Sequence, residues 1–201
     1  MKSIIFLVVG SLFSVNAFAS MITLETRGLN LPDFDNTDYE QSWMDHTTTI
    51  TSTSLAQFTN IATGNNSFNL LTIDFDFGAR DSVIAQFGLD AGYGFAAYLD
   101  GNFVTGNASD RWWAFNWGNS ETVPLNSLAG SSHTFELYWA EGCCNGGQSG
   151  RISLDGGNSW QALSVANLDA ARVSAVPEPS ALLLFGLGLL GLGAVRRKTR
   201  V

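Results

Sequence analysis

Asn69-Leu-Leu-Thr-Ile-Asp-Phe-Asp-Phe-Gly78 alternates through its second half, with Ile73, Phe75 and Phe77 on one side and Asp74 and Asp76 on the other. Successive side chains of an extended chain point to opposite faces, so a period of two predicts a strand with one face buried. Asp74 and Asp76 then share the outer face, where a solvated sheet surface is a better reading than a cation site. The pattern recurs downstream. The segment 82–88 (SVIAQFG) is a further short run, and 94–99 (GFAAYL) and 102–104 (NFV) flank Asp100-Gly101. Both turn residues tolerate positive φ, so the pair predicts a tight hairpin. In 133–140 (HTFELYWA), Phe135, Leu137 and Trp139 share one face, while Thr134, Glu136 and Tyr138 share the other. The runs 151–154 and 159–163 bracket Asp155-Gly156-Gly157, a second turn of similar chemistry.

Working outward, 111–118 (RWWAFNWG) predicts a tryptophan-rich strand, and the β-branched polar run 46–54 (HTTTITSTS) predicts an edge strand. Residues 21–45 show little regular pattern. Their Asp33, Asp35 and Asp38 lack the glycine and the distal glutamate of a calcium loop and read as a solvated acidic loop. Short strands, glycine-rich turns and no helical periodicity predict an all-β fold, an antiparallel β-sandwich of jelly-roll-like form.

The ends carry different information. Residues 1–19 read as a signal peptide: Lys2, an apolar run, then Ala17-Phe-Ala19 as the cleavage site. The folded domain therefore spans 20–175. Residues 176–201 begin Val176-Pro-Glu-Pro-Ser180, continue through an uncharged Leu/Gly-rich run to Val195, and end in Arg196-Arg-Lys-Thr-Arg200. The prolines favour extended backbone and end the domain. As a helix, the apolar run would span about 22 Å at ~1.5 Å per residue, short of a hydrocarbon core of ~30 Å. Flanking residues and snorkelling basic side chains extend it, and the basic cluster would stay on the cytoplasmic side.

Removing both ends reveals the domain's charge. The whole chain carries −8, but five arginines against seventeen acidic residues leave the domain at −12, with no lysine. Phosphate-backbone recognition needs clustered Lys and Arg, so nucleic acid is not an expected partner. Catalysis finds no support either. His46 and His133 each begin a β-like run, and no nucleophile elbow, zinc-finger spacing or defined acid/base pair is present. The expectation is a protein that is not an enzyme.

Glu141-Gly-Cys-Cys-Asn-Gly-Gly-Gln-Ser-Gly150 is a glycine-rich loop containing the chain's two cysteines, Cys143 and Cys144. A vicinal disulfide is favoured, although neighbouring Cα atoms about 3.8 Å apart across a trans peptide lie closer than the ~4.4 Å minimum of ordinary bridges. Reduced thiols and intermolecular bridges are the alternatives. Such a bridge would stiffen the loop and offer a small apolar patch to the C–H face of a sugar. On the strands, Trp113 and Trp117 are the expected exposed stacking pair and Trp139 is expected in the core. Tyr98 and Asp100 lie beside the first hairpin and are further candidates for carbohydrate contact.

Two resemblances follow. The tail resembles the PEP-CTERM sorting signal over residues 176–200. This implies export, transient inner-membrane anchoring, and cleavage near Pro177, Glu178 and Pro179 by an exosortase, with release to the cell surface or matrix of exopolysaccharide-producing bacteria. A plain membrane anchor is the alternative. Residues 73–163, from the Tyr98-Leu-Asp-Gly101 hairpin through 133–150, resemble the sugar-binding β-sandwich of anthrax protective antigen, flocculins and fibro-slime domains. That family implies contact with extracellular polysaccharide and, in its sugar-binding members, Ca²⁺ held by an Asp-Asp pair. Here the segment reads Asp90-Ala91-Gly92, with one acid of the pair missing. Asp90 is the residue carried over to a metal, while Glu141 and Asn145 are loop candidates on chemistry alone. Two alternatives remain open: a structural biofilm protein without a glycan site, and a secreted hydrolase with unrecognised acids.

Overall fold

The computed structural model describes residues 19–78, 83–125, 132–144 and 146–172, together with Gly188. The expected signal peptide and sorting tail lie outside the described residues almost entirely. No helix among the described residues is long and apolar enough to cross a membrane.

The alternating run 69–78 falls mostly in β3, Ser67–Phe75, at the heart of a six-stranded sheet. It pairs antiparallel on one side with β1, Met21–Gly28, and on the other with β10, His133–Glu141. The edges are β2, Thr51–Ser54, beside β1, and a hairpin of β6, Phe95–Leu99, with β7, Asn102–Asn107, beside β10. Asp100 and Gly101 turn that hairpin with φ of 51° and 72°, as Asp-Gly chemistry predicts. The edge placement of β2, exposed at all four residues, agrees with its polar sequence.

A second antiparallel sheet runs β12-β11-β4-β9, built from Gln161–Ala162, Ser149–Ser153, Ile84–Gly88 and Glu121–Pro124 respectively. Between the sheets lies the main core. Phe87 of β4 stacks on Phe135 of β10 at 5.2 Å between ring centroids, and Trp139 packs against Phe58. The molecule is therefore an antiparallel β-sandwich. A two-residue ribbon at one end joins β5, Asp90–Ala91, to β8, Arg111–Trp112.

Three expectations need correction. First, residues 21–28 form a full strand; Ile22 and Leu24 are its inward residues, but Thr, Glu and Arg obscure the alternation. Second, the domain contains helices. α1, Tyr39–Asp45, and α2, Val165–Ala171, are too short to show a 3.6-residue period, and each is fixed by a cap: Asp38 accepts from Gln41 N–H and Ser164 from Asn167 N–H. The acidic loop before α1 is locally satisfied, with Asp35 Oδ1 accepting from Thr37 N at 2.8 Å and Thr37 Oγ1 at 2.6 Å. Third, the tryptophan-rich segment is not one strand. Ala114 and Phe115 adopt φ of 50° and 58°, ending β8 after Trp112, and Trp117–Asn119 forms a 3₁₀ turn.

α1 gives the six-stranded sheet a second apolar face. Tyr39 and Trp43 pack with Phe68, Leu70, Ala96, Tyr98 and Tyr138. Arg27 ties this cover down: Nη1 donates to Trp43 O at 2.6 Å, Nη2 donates to Thr48 O at 2.6 Å, and the guanidinium lies 4.9 Å from the Trp43 ring.

Candidate binding groove

Glu141 closes β10 with its side chain almost wholly buried. Two backbone N–H groups hold its carboxylate: Gly92 donates to Oε2 at 3.0 Å and Cys143 to Oε1 at 2.8 Å. Asp90, at the start of β5, is also buried. Gly146 N–H donates to its Oδ2, and Gln148 Nε2 donates to its carbonyl oxygen at 3.0 Å. Gly146 reaches it because it lacks a Cβ, which would sit 2.6 Å from that carboxylate oxygen. Burial pushes the Asp90 pKa above the usual carboxylate range. The Gly146 hydrogen bond opposes this, while the nearby charges of Glu141 and Asp110 add to it. Trp112 stands opposite Asp90 in the ribbon with 60 % of its surface exposed. Together with Tyr93, Cys143 and Cys144 they line a cleft of about 530 Å³.

A second cleft of about 380 Å³ lies against the smaller sheet. Its walls are aromatic: Trp113, Phe115, Trp117 and Trp160, with Arg151 among them. Trp113 forms the floor, 4.9 Å from Trp117 and 5.0 Å from Phe115 between centroids. It lies flat on Gly88, where an added Cβ would meet the indole at 2.1 Å. A hollow of about 220 Å³ joins the two clefts, sharing Asp90 and Trp112 with the first and Trp113 and Phe115 with the second. One groove therefore runs from an acidic end to an aromatic, cationic end.

The expected site residues divide accordingly. Asp90, Glu141, Cys143 and Cys144 meet in the first cleft, and Trp113 and Trp117 in the second. Asn145 lies outside the described residues. The expected exposure of Trp113 is corrected: it is 3 % exposed, and its neighbour Trp112 is the open one. Adjacent residues of an extended chain point to opposite faces, so at most one of the pair can lie in the core; Gly88 decides which. Tyr98 and Asp100 line neither cleft. Tyr98 packs edge-on against Tyr138 under α1, where burial raises its phenol pKa. Asp100 bolts the hairpin to β10, accepting from Thr134 N at 2.9 Å and lying 2.9 Å from His133 Nδ1. Cys143 and Cys144 are free, exposed thiols, in place of the favoured vicinal bridge. Cys144 has φ of 65°, and the mutual thiol hydrogen bond pushes the Cys143 pKa up. The ~3.8 Å spacing of neighbouring Cα atoms already opposed closure.

Sequence reasoning preferred Trp113 to Trp112 and missed Asp110, Phe115, Arg151 and Trp160. Trp160 follows a turn whose reach depends on tertiary contacts. Arg151 is one outward residue of a short strand, and nothing local marks it.

The donor set does not fit a Ca²⁺ ion. Ca²⁺ takes six to eight oxygen ligands. Among the described residues, no group of three His, Cys, Asp or Glu side chains is arranged to hold a metal. Both Glu141 oxygens and one Asp90 oxygen already accept backbone N–H groups.

The β-sandwich is similar in fold to PA14 domains of known structure. The chain is similar to the PA14 domain of an antifreeze protein, with TM-score 0.52, 10 % identity, and coverage of 76 % of this chain and 92 % of that one. It is also similar to a PA14 sugar-binding domain from an RTX adhesin, with TM-score 0.53, 7 % identity, and coverage of 75 % and 97 %. Residues 175–198 match the PEP-CTERM protein-sorting motif. No curated protein sequence matches the chain.

Proposed function

We propose that this is an exported, exosortase-sorted protein of the cell surface or extracellular matrix, without catalytic activity, whose β-sandwich contacts exopolysaccharide along the groove. The carrying observation is the continuity of the three hollows, which share Asp90, Trp112, Trp113 and Phe115. A continuous trough suits an internal stretch of polymer, with exposed Trp112 and Phe115 as stacking faces for successive sugars. Buried Asp90 and Glu141 fix the backbone of the acidic end by accepting from Gly146, Gly92 and Cys143 N–H groups. In this reading Ca²⁺ is not required.

The sugar-binding adhesin domain among the similar structures supports the substrate class by analogy of fold, and the sorting motif supports the destination. A glycan array probed with the full chain, in Ca²⁺ and again in chelator, tests the reading. Binding that persists in chelator and falls at least tenfold in Trp112→Ala is expected. Silence under both conditions would leave a purely structural envelope protein as the better description.

A further inference from the structure

The aromatic end of the groove has chemistry that a neutral sugar does not need. Arg151 of β11 lies between two indoles, its guanidinium carbon 4.3 Å from the Trp117 ring centroid and 4.3 Å from that of Trp160. Two of its nitrogens converge on one neutral acceptor: Nε donates to Gln86 Oε1 at 2.8 Å and Nη2 at 2.5 Å. Gln86 is fixed in turn, its Nε2 donating to Thr122 Oγ1 at 2.9 Å. The fork is therefore locked in plane and orientation, and Nη1 has no protein partner among the described residues.

Charge makes the arrangement specific. Arg111 pairs with Glu121 and Arg172 with Asp76, and Arg27 is held by backbone carbonyls, whereas Arg151 faces no carboxylate among the described residues although the domain holds seventeen acids. Among the described residues, no acidic side chain lines this cleft. Burial lowers the Arg151 pKa, yet a guanidinium stays protonated at neutral pH. Holding an unneutralised cation between two aromatic rings prepares a site for an anion whose body is flat and apolar enough to lie on them. Phe115, 61 % exposed, extends that surface beside Arg151.

We infer that the cleft of Phe115, Trp117, Arg151 and Trp160 binds a uronic acid residue of the polysaccharide, its C–H face on the aromatic rings and its carboxylate on the Arg151 guanidinium. This inference rests on the groove reading above and narrows its substrate class to acidic polysaccharide. The domain's net −12 counts against polyanions in general. Exposed charges farther than about 8 Å are screened at physiological ionic strength, however, so the local cation governs the bound sugar.

The test uses the purified full chain in mild detergent with a chelator present, so that no divalent ion bridges acidic groups. Hexamers of galacturonate, glucuronate and mannuronate are titrated alongside the same hexamers after carboxyl reduction, followed by tryptophan fluorescence and calorimetry. At least one acidic hexamer should bind at least tenfold more tightly than its reduced counterpart. Arg151→Gln should bring the ratio of acidic to reduced affinity close to one whatever its effect on overall affinity, and Trp160→Ala should weaken both. The comparison between ligands needs no variant, so it stands even if a substitution impairs folding. Equal affinity for acidic and reduced hexamers, or failure of every acidic hexamer to bind, overturns the uronate assignment. In either case, Trp112-dependent binding of neutral glycans on the array would leave the groove reading standing. Silence there as well would remove both.

Discussion

At the scale of single residues, two positions set the groove without touching a ligand. Gly88 is the seat of Trp113: a Cβ there would overlap the indole at 2.1 Å, and β4 cannot retreat because it is hydrogen-bonded on both sides. Gly88→Ala should therefore destabilise the fold by about 1–3 kcal/mol, the usual range for overpacking a tight site. Denaturant unfolding would measure this, and an unchanged midpoint would mean that Trp113 is free to move. Asp155 has a different role. Its carboxylate accepts from Ser159 Oγ at 2.6 Å, Ser153 Oγ at 2.7 Å and Ser159 N at 2.9 Å, shaping the turn that delivers Trp160. Those bonds hold its pKa at about 2. The folded value is depressed, so the stabilisation is complete above the unfolded pKa of about 4 and is lost as pH falls toward 2. An NMR titration should find the Asp155 carboxyl midpoint near 2; a midpoint near 4 would show that the turn is not held this way.

At the scale of elements, the helical cover on the large sheet makes a clear stability prediction. Trp43 packs on Phe68 and Tyr138, with ring centroids at 5.0 and 6.1 Å, and under the Arg27 guanidinium. Trp43→Ala should cost about 3–5 kcal/mol, as aromatic truncation in a core does. Denaturant unfolding would measure this too, and an unchanged midpoint would show that the cover adds nothing to the fold. The loss should also reach the first cleft, because Tyr39 Oη donates to the carbonyl oxygen of cleft-lining Tyr93 at 2.5 Å. The same element explains what could be read in the sequence. β3 and β10 alternate cleanly, and Asp100-Gly101 announced its hairpin, because strand period and turn chemistry are local properties. α1 buries only Tyr39, Ser42 and Trp43 over seven residues, too few to show a helical period. The groove was half legible for a related reason. Asp90 and Glu141 stood out as acids near glycine-rich turns, while Arg151 and Trp160 are brought together by pairing of β11 with β12 and meet Trp117 through the contact of its 3₁₀ turn with β4 beside β11.

At the scale of the whole molecule, charge is partitioned along the chain in a way that bears on sorting. The tail holds Arg196, Arg197, Lys198 and Arg200 against the single acid Glu178, whereas the domain holds five arginines against seventeen acids. In the proposed route, a membrane-held precursor would keep its basic end on the cytoplasmic side with the acidic domain outside, the orientation that the positive-inside bias favours. If cleavage occurs near Pro177-Glu178-Pro179, the released domain sheds four positive charges and one negative. The domain's net −12 then acts without the tail's partial compensation, lowering its tendency to associate with anionic headgroups. Replacing Pro177, Glu178 and Pro179 together by alanine should leave the protein in the membrane fraction, focusing at a higher isoelectric point than the wild-type product. Fractionation followed by isoelectric focusing and intact mass would read both effects at once. Release of the triple variant, at the mass and isoelectric point of the wild-type product, would show that the Pro-Glu-Pro segment does not direct cleavage and that the tail serves as an anchor alone.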